Sequence, residues 1–219
     1  MILDVDGTLV DSNYQHAIAW HRAFRDHDYR VAIWEIHRHI GMGGDQLVEA
    51  LIGEEGAKAD GEELSEGHSD AYSELIGEVE AVEGASELIA ELDDAGATVI
   101  LASSAAQDEL DHYIELLDAA DRIAGATSSA DAEQTKPDPE LVETALKKYG
   151  SGGPALMVGD STWDVKAAAA AGVPTLALLT GGFSEAELRE AGAAEVEESL
   201  TTMRGHGVGW VIDLAKRPE

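Results

Sequence analysis

A chain of 219 residues that is 44% hydrophobic is long and apolar enough for one α/β unit with an insertion, which excludes wholesale disorder. Its 44 acids against 14 Lys and Arg give a net charge of −30, a surface that repels phosphate backbones and offers no basic face to nucleic acid. The absence of Cys removes disulfides, thiolate nucleophiles and Cys-ligated metals, and no apolar run approaches the ~18 residues of a membrane span.

In chain order, Met1 to Val5 is a short apolar run that stops at the turn signal Asp6-Gly7-Thr8. Three residues before Asp4 are few for a buried strand, so either the strand begins upstream of Met1 or it is clipped. From Asn13 to Gly77 the pattern is helical, with Ala17, Ile18, Trp20, Ala23 and Phe24 recurring at three-to-four spacing. A second helix is predicted over 33–40, then the loop Gly41-Met42-Gly43-Gly44, then a helix capped by Asp45 and running to Ile52. The stretch 53–67, rich in Gly and Glu, reads as a loop, followed by one more helix over 71–79.

After this block strands and helices alternate. A helix over 85–95 ends at Gly96, and Thr98 to Ala102 is a continuous apolar run suited to a strand buried on both faces. A helix over 107–118 and a short run at 123–126 follow, and Pro139 opens a helix over 140–149. Ala155 to Val158 is the next buried strand, 165–171 a helix stopped by Gly172, and 175–179 another strand. Such alternation predicts a Rossmann-like parallel sheet with helices on both faces, plus an all-helical block inserted after the first strand.

The residues just past each apolar run are the informative ones, because open α/β sheets bind ligands at the carboxyl ends of their strands. Asp4 and Asp6 follow the first run, and Ser103-Ser104 the second. Asp160 follows the run at Leu156, with Asp164 four residues on. Lys136, one of only six lysines, lies in the loop 135–139. Converging acids are costly without a cation, and hard carboxylate oxygens suit Mg2+. An Asp nucleophile beside such an ion, with Lys and hydroxyl donors, is equipment for phosphoryl transfer.

Four stretches carry a resemblance: Asp4-Val5-Asp6-Gly7-Thr8-Leu9-Val10-Asp11-Ser12, Leu101-Ala102-Ser103, Lys136-Pro137-Asp138-Pro139 and Gly159-Asp160-Ser161-Thr162-Trp163-Asp164. In order and spacing they resemble the motifs of the haloacid dehalogenase-like hydrolase superfamily. The resemblance implies a catalytic core of residues 1–12 and 81–219 with a helical cap domain over 13–80. It implies that Asp4 attacks phosphorus to form an aspartyl-phosphate, while Asp6 protonates the leaving oxygen and later activates water. Mg2+ would be held by the Asp4 carboxylate, the Asp6 backbone carbonyl and Asp160. Asp164 would orient a metal-bound water or Lys136. Ser103, the Ser104 amide and Lys136 would stabilise the transferring oxygens. The namesake dehalogenases lack an acid at the Asp6 position, and the transporting ATPases carry Thr there, so neither activity is expected.

Specificity is expected from the cap, which closes over the site about hinges at Asp11-Ser12-Asn13 and Glu80 to Glu83. His16 and Trp20 share a helix face and match a His and a Trp of similar beta-phosphoglucomutases, where the His faces the sugar. Here His16 either contacts a substrate hydroxyl or packs, and Trp20 reads as core. Where those mutases place an Arg and a Lys for a second phosphate, this chain offers Gly44 and His68, and its fourth motif resembles the phosphoglycolate phosphatase type. Arg38 with the loop around Gly43 either reaches an anionic group or is plain surface. His37 and His39, at i and i+2, point apart and make no metal pair.

The reading is therefore a Mg2+-dependent hydrolase of a small phosphorylated metabolite, of the sugar phosphate or phosphoglycolate type. A phosphomutase is the first alternative, and a non-catalytic sensor or interaction protein on the same fold is the other. No charged-then-apolar leader opens the chain, so a cytoplasmic protein without membrane or nucleic-acid partners is expected, with a monomer as the default. The acids are spread over nearly every segment, nineteen of them between Ala59 and Asp121 with no Lys or Arg. That distribution reads as a surface adapted to a salty interior, where ~1 M salt shortens the Debye length to about 3 Å and quenches self-repulsion.

Overall fold

Six short strands lie side by side at the centre of the computed structural model, which describes residues 1–132 and 134–216. They are β1 (Ile2–Leu3), β2 (Ile100–Ala102), β3 (Gly125–Thr127), β4 (Met157–Gly159), β5 (Thr175–Leu178) and β6 (Glu195–Glu197). All pairings are parallel, in the order β3-β2-β1-β4-β5-β6. Strand order therefore reverses between β1 and β4, and the crevice at their carboxyl ends is the place where such sheets hold ligands.

Side-chain alternation explains why these runs need cover on both sides. Ile2, Ile100 and Met157 point to one face, where they pack on Val142 and Ala145 of α6 (Glu140–Tyr149) and Ala167 of α7 (Thr162–Ala170). Leu3, Leu101 and Val158 point to the other. There they meet α4 (Ala85–Asp94) through Leu88 and Leu92, and α5 (Gln107–Leu116) through Leu110 and Tyr113. Helices α8 (Glu185–Ala191), α9 (Leu200–Gly205) and α10 (Val208–Leu214) complete the layers. The expected parallel sheet with helices on both faces is the architecture observed.

Between β1 and α4 the chain is helical. Here α1 (Asn13–Asp26), α2 (Ile33–His37) and α3 (Gly44–Ser73) build a separate apolar cluster from Trp20, Phe24, Ile36, Leu47 and Leu64. The two crossings into this block run side by side: the Asp11 N–H donates to Glu80 O and the Val82 N–H to Leu9 O, both at 2.9 Å.

The structure corrects three sequence expectations. Residues 53–67 are not a loop, because α3 continues through them to Ser73 with a kink at Gly53 (φ 76°, ψ 167°). The separate helix over 71–79 is replaced by the end of α3 and a short 3₁₀ turn, Ile76–Glu78. At the other end, Gly43 rather than Asp45 is the N-cap of α3. The edge strand β6 and the helices after it were not legible in the sequence.

Candidate active site

The backbone ladder carries past β1: the Asp4 N–H donates to Val158 O at 2.9 Å, which fixes Asp4 at the mouth of the crevice. The turn after it depends on Gly7, whose φ is +74°. A Cβ at this residue would stand 2.2 Å from both Asn13 Nδ2 and Asp160 Oδ2. Asp160 follows β4, and Asp164 lies in the first turn of α7. Asp164 does two jobs. Its Oδ2 accepts from the Ser161 N–H (3.1 Å) and the Ser161 hydroxyl (2.6 Å) in a capping box, while its Oδ1 lies 2.8 Å from Lys136 Nζ.

Lys136 is 1% exposed, and its ammonium donates to Asp4 Oδ1 and, at 3.1 Å, to Ala102 O. Burial favours the neutral amine, but Asp164 and Asp4 outweigh it and raise the Lys136 pKa. Burial and Asp164 hold the Asp4 carboxyl well above the usual carboxylate range despite Lys136. The same two causes push Asp160 up to about 7, against donation from Asn13 and Thr8. Asp4, Asp160 and Asp164 each offer an oxygen within 4.8 Å of the others, all buried. Three buried carboxylates facing one ammonium leave uncompensated negative charge on hard oxygen donors, which fits a divalent cation such as Mg2+.

Asp6 sits apart from that triad. Its Oδ1 accepts from the Ser12 hydroxyl (2.6 Å) and lies 3.1 Å from His16 Nε2, and its Oδ2 accepts from the Ser103 hydroxyl (3.1 Å). Burial alone would raise this carboxyl, but the bond and charge of His16, with both hydroxyls, bring it down to about 2. The same contact overcomes burial and raises the His16 pKa. On its other side His16 Nδ1 meets His68 Nε2 at 3.1 Å, and burial with the His16 charge keeps His68 well below its ordinary value. His16 also stacks on Tyr72, centroid to centroid 3.8 Å.

Asp4, Asp6, His16, Ser104 and Lys136 line one cavity of about 380 Å³, roofed by Trp20, Gly44 and His68. Ser103 is fully buried and holds the Ala105 N–H at 2.9 Å, while the Ser104 hydroxyl oxygen is buried without a hydrogen-bond partner at the cavity wall. Two cap residues are placed elsewhere. Arg38 does not face the cavity: it pairs with Glu187 at 2.5 Å and lies 4.0 Å over the Phe183 ring. Gly43 packs on Thr135, where a Cβ would stand 1.8 Å from Oγ1.

The profile of the family described as haloacid dehalogenase-like hydrolase matches residues 1–178. The chain belongs to this family. A solved hydrolase from Pseudomonas syringae is 35% identical, with a TM-score of 0.88 over 94% of this chain and 95% of that one. A phosphoglycolate phosphatase of Mesorhizobium japonicum is 27% identical over 203 residues, 87% of this chain and 86% of the relative. A variant of CbbY from Rhodobacter sphaeroides, solved in complex with xylulose-1,5-bisphosphate, is 19% identical with a TM-score of 0.72, covering 91% and 93%; this likeness is one of fold. As in the sequence reading, this haloacid dehalogenase-like hydrolase contains no helix, among the described residues, long and apolar enough to cross a membrane.

Four neighbours of the site escaped the sequence reading. Thr8 Oγ1 donates to Asp160 Oδ1 (3.0 Å), Asn13 Nδ2 to Asp160 Oδ2 (2.9 Å), Ser12 holds Asp6, and Glu109 of α5 is buried at the cavity wall. Spacing could have flagged two of them. Asn13 lies one turn before His16 on the same face of α1, and Glu109 lies one turn before Tyr113 on the apolar face of α5.

Proposed function

We propose that the chain is a Mg2+-dependent phosphomonoester hydrolase of a small phosphorylated metabolite in the cytoplasm, working through an aspartyl-phosphate on Asp4. The observation that carries this reading is the buried meeting of Asp4, Asp160, Asp164 and Lys136 at the sheet's switch point, with Asp6 beside them in the same cavity. Asp4 and Asp160, with the Asp6 carbonyl and Asp164, would hold Mg2+, which supplies positive charge to offset the anions gathered there. Lys136 keeps one Asp4 oxygen fixed, so the carboxylate presents its other oxygen, 3.5 Å from Thr8 Oγ1, toward the substrate. Ser104, with its free hydroxyl, is the donor available to the phosphoryl oxygens, while Lys136, whose three N–H groups face Asp4, Asp164 and Ala102 O, contributes its charge.

The Asp6 carboxyl is brought down to about 2, and His16, whose pKa this contact raises, lies 3.1 Å from it. The pair therefore stores the proton needed at the leaving oxygen, and Asp6 becomes the base for the water that follows. His16 thus serves Asp6 rather than a sugar hydroxyl. Residues 13–80 act as the cap over a core of 1–12 and 81–219, and supply Trp20, Gly44 and His68 to the cavity lining.

A phosphomutase is disfavoured because Gly44 and His68 line the cavity where a second phosphate would need cations. A non-catalytic role leaves the Asp4–Lys136 geometry without a use. The test is Mg2+-dependent turnover of p-nitrophenyl phosphate by the purified protein. Asp4→Asn should abolish it, and full activity retained in that variant would overturn the nucleophile assignment.

A further inference from the structure

The cavity keeps its one ammonium at the floor, among carboxylates, and has acids on its walls. Lys136 is the only Lys or Arg among the described lining residues, and it lies at the floor beside Asp4 and Asp164. Three of the cap's cations are paired with acids away from this cavity's lining: Arg38 with Glu187, Arg22 with Glu74 and Lys58 with Glu54. Above the floor the wall carries Glu109, 8% exposed, and at the open mouth Asp45, which accepts from Thr135 Oγ1 at 2.7 Å. The other polar groups there are Ser65, Ser69, Ser104, Ser129, Thr135, His68, whose pKa burial lowers, and His16, which is paired with Asp6.

A phosphomonoester bound with its phosphorus at Asp4 must extend its leaving group into this upper chamber. The floor charge is engaged by the phosphoryl group itself. A carboxylate or second phosphate on the leaving group would then face Glu109 and Asp45, and the one imidazole beside them with a raised pKa, His16, is already held by Asp6 at 3.1 Å, inside walls that screen poorly. Hydroxyl groups meet the reverse situation, since carboxylate oxygens accept and serine hydroxyls donate or accept as required.

We infer that Glu109, aided by Asp45, is a specificity-determining residue that selects phosphomonoesters whose leaving group is uncharged and hydroxylated, and rejects those bearing a second anionic group. This rests on the hydrolase reading above and narrows its substrate class. Sugar or polyol monophosphates fit, whereas phosphoglycolate and bisphosphates are excluded by charge. Burial, ahead of the charges of Asp6 and Asp108, pushes the Glu109 carboxyl up to about 7, against His16, so a near anion would have to drive it neutral before binding.

The experiment uses the full chain with Mg2+ and two substrates differing at one group, 2-hydroxyethyl phosphate and 2-phosphoglycolate. The kcat/KM ratio, read by phosphate release at pH 8, should favour the hydroxyl compound by roughly 10–100-fold, the scale of an uncompensated like-charge contact. Glu109→Gln should narrow the ratio at least about fivefold, Glu109→Asp should retain it, and Asp45→Asn should narrow it less. Equal or better use of 2-phosphoglycolate by the native protein overturns the inference, as does a ratio unmoved in both Glu109→Gln and Asp45→Asn. A preference for 2-aminoethyl phosphate over the hydroxyl compound overturns the uncharged leaving group. Failure to release phosphate from any monoester, p-nitrophenyl phosphate included, brings down the hydrolase reading and this inference with it. Turnover with an inverted ratio brings down this inference alone.

Discussion

Replacing Glu109 by Gln should make the protein more stable above neutral pH, although it removes a group from the interior. Glu109 is almost wholly buried, and its carboxyl is pushed from the ordinary 4.5 up to about 7 by burial first, with Asp6 and Asp108 adding and His16 opposing. A group whose pKa is raised on folding binds its proton more tightly in the native state. Its contribution is complete below pH 4.5 and is lost as pH rises through 7. A rise of about 2.5 units is worth about 3 kcal/mol in full, of which about 2.5 kcal/mol falls between pH 5 and pH 8. Gln has the same shape and no proton to lose, so the variant escapes that loss. Urea unfolding of both proteins at pH 5, 6.5 and 8 in molar KCl reads the difference directly. The gap between variant and parent should move by about 2.5 kcal/mol in favour of Gln across that range. Parallel pH profiles, within about 0.5 kcal/mol, would show that Glu109 titrates as an ordinary exposed acid, and the electrostatic account of the chamber would fail.

Lys136→Met should cost about 3–5 kcal/mol, because it leaves Asp4, Asp160 and Asp164 buried without their counter-charge. At this chain length that lowers the melting temperature by roughly 6–11 °C, part of it recovered by millimolar Mg2+; a variant melting within about 2 °C of its parent refutes the role given to the ammonium. The acid excess predicts a melting temperature that climbs with KCl into the molar range, and identical melting in dilute buffer and in 2 M KCl (about 2 M, at a Debye length below ~3 Å) would remove the salt-adaptation reading.

The fold was legible where physics is local. Runs such as 98–102 and 155–158 must be buried strands, and the acids just past them had to gather wherever the sheet changes direction. The errors came where tertiary packing overrules composition. Several glycines made 53–67 look like a loop, yet α3 keeps Gly67 against Ala23 of α1, where even a Cβ would be in contact at 3.4 Å. Here the glycine permits close helix packing and does not end the helix. Strand β6, Glu-Val-Glu, is an edge strand with too few apolar residues to announce itself. Arg38 looked available because its partner Glu187 lies 149 positions away. Thr8 was missed for the same reason, since its partner Asp160 lies 152 positions away, whereas Asn13 and Glu109 sit at helical spacings that could have flagged them.

Helix α1 holds Asn13 against Asp160 and His16 against Asp6, both from its first turn and a half. An outward swing of that helix would break both contacts together, and under the proposed mechanism the cation's Asp160 would lose its guide and the acid Asp6 its partner. On that reading an unlatched chain would be an inert one, with no assembled chemistry for water entering the cleft to waste.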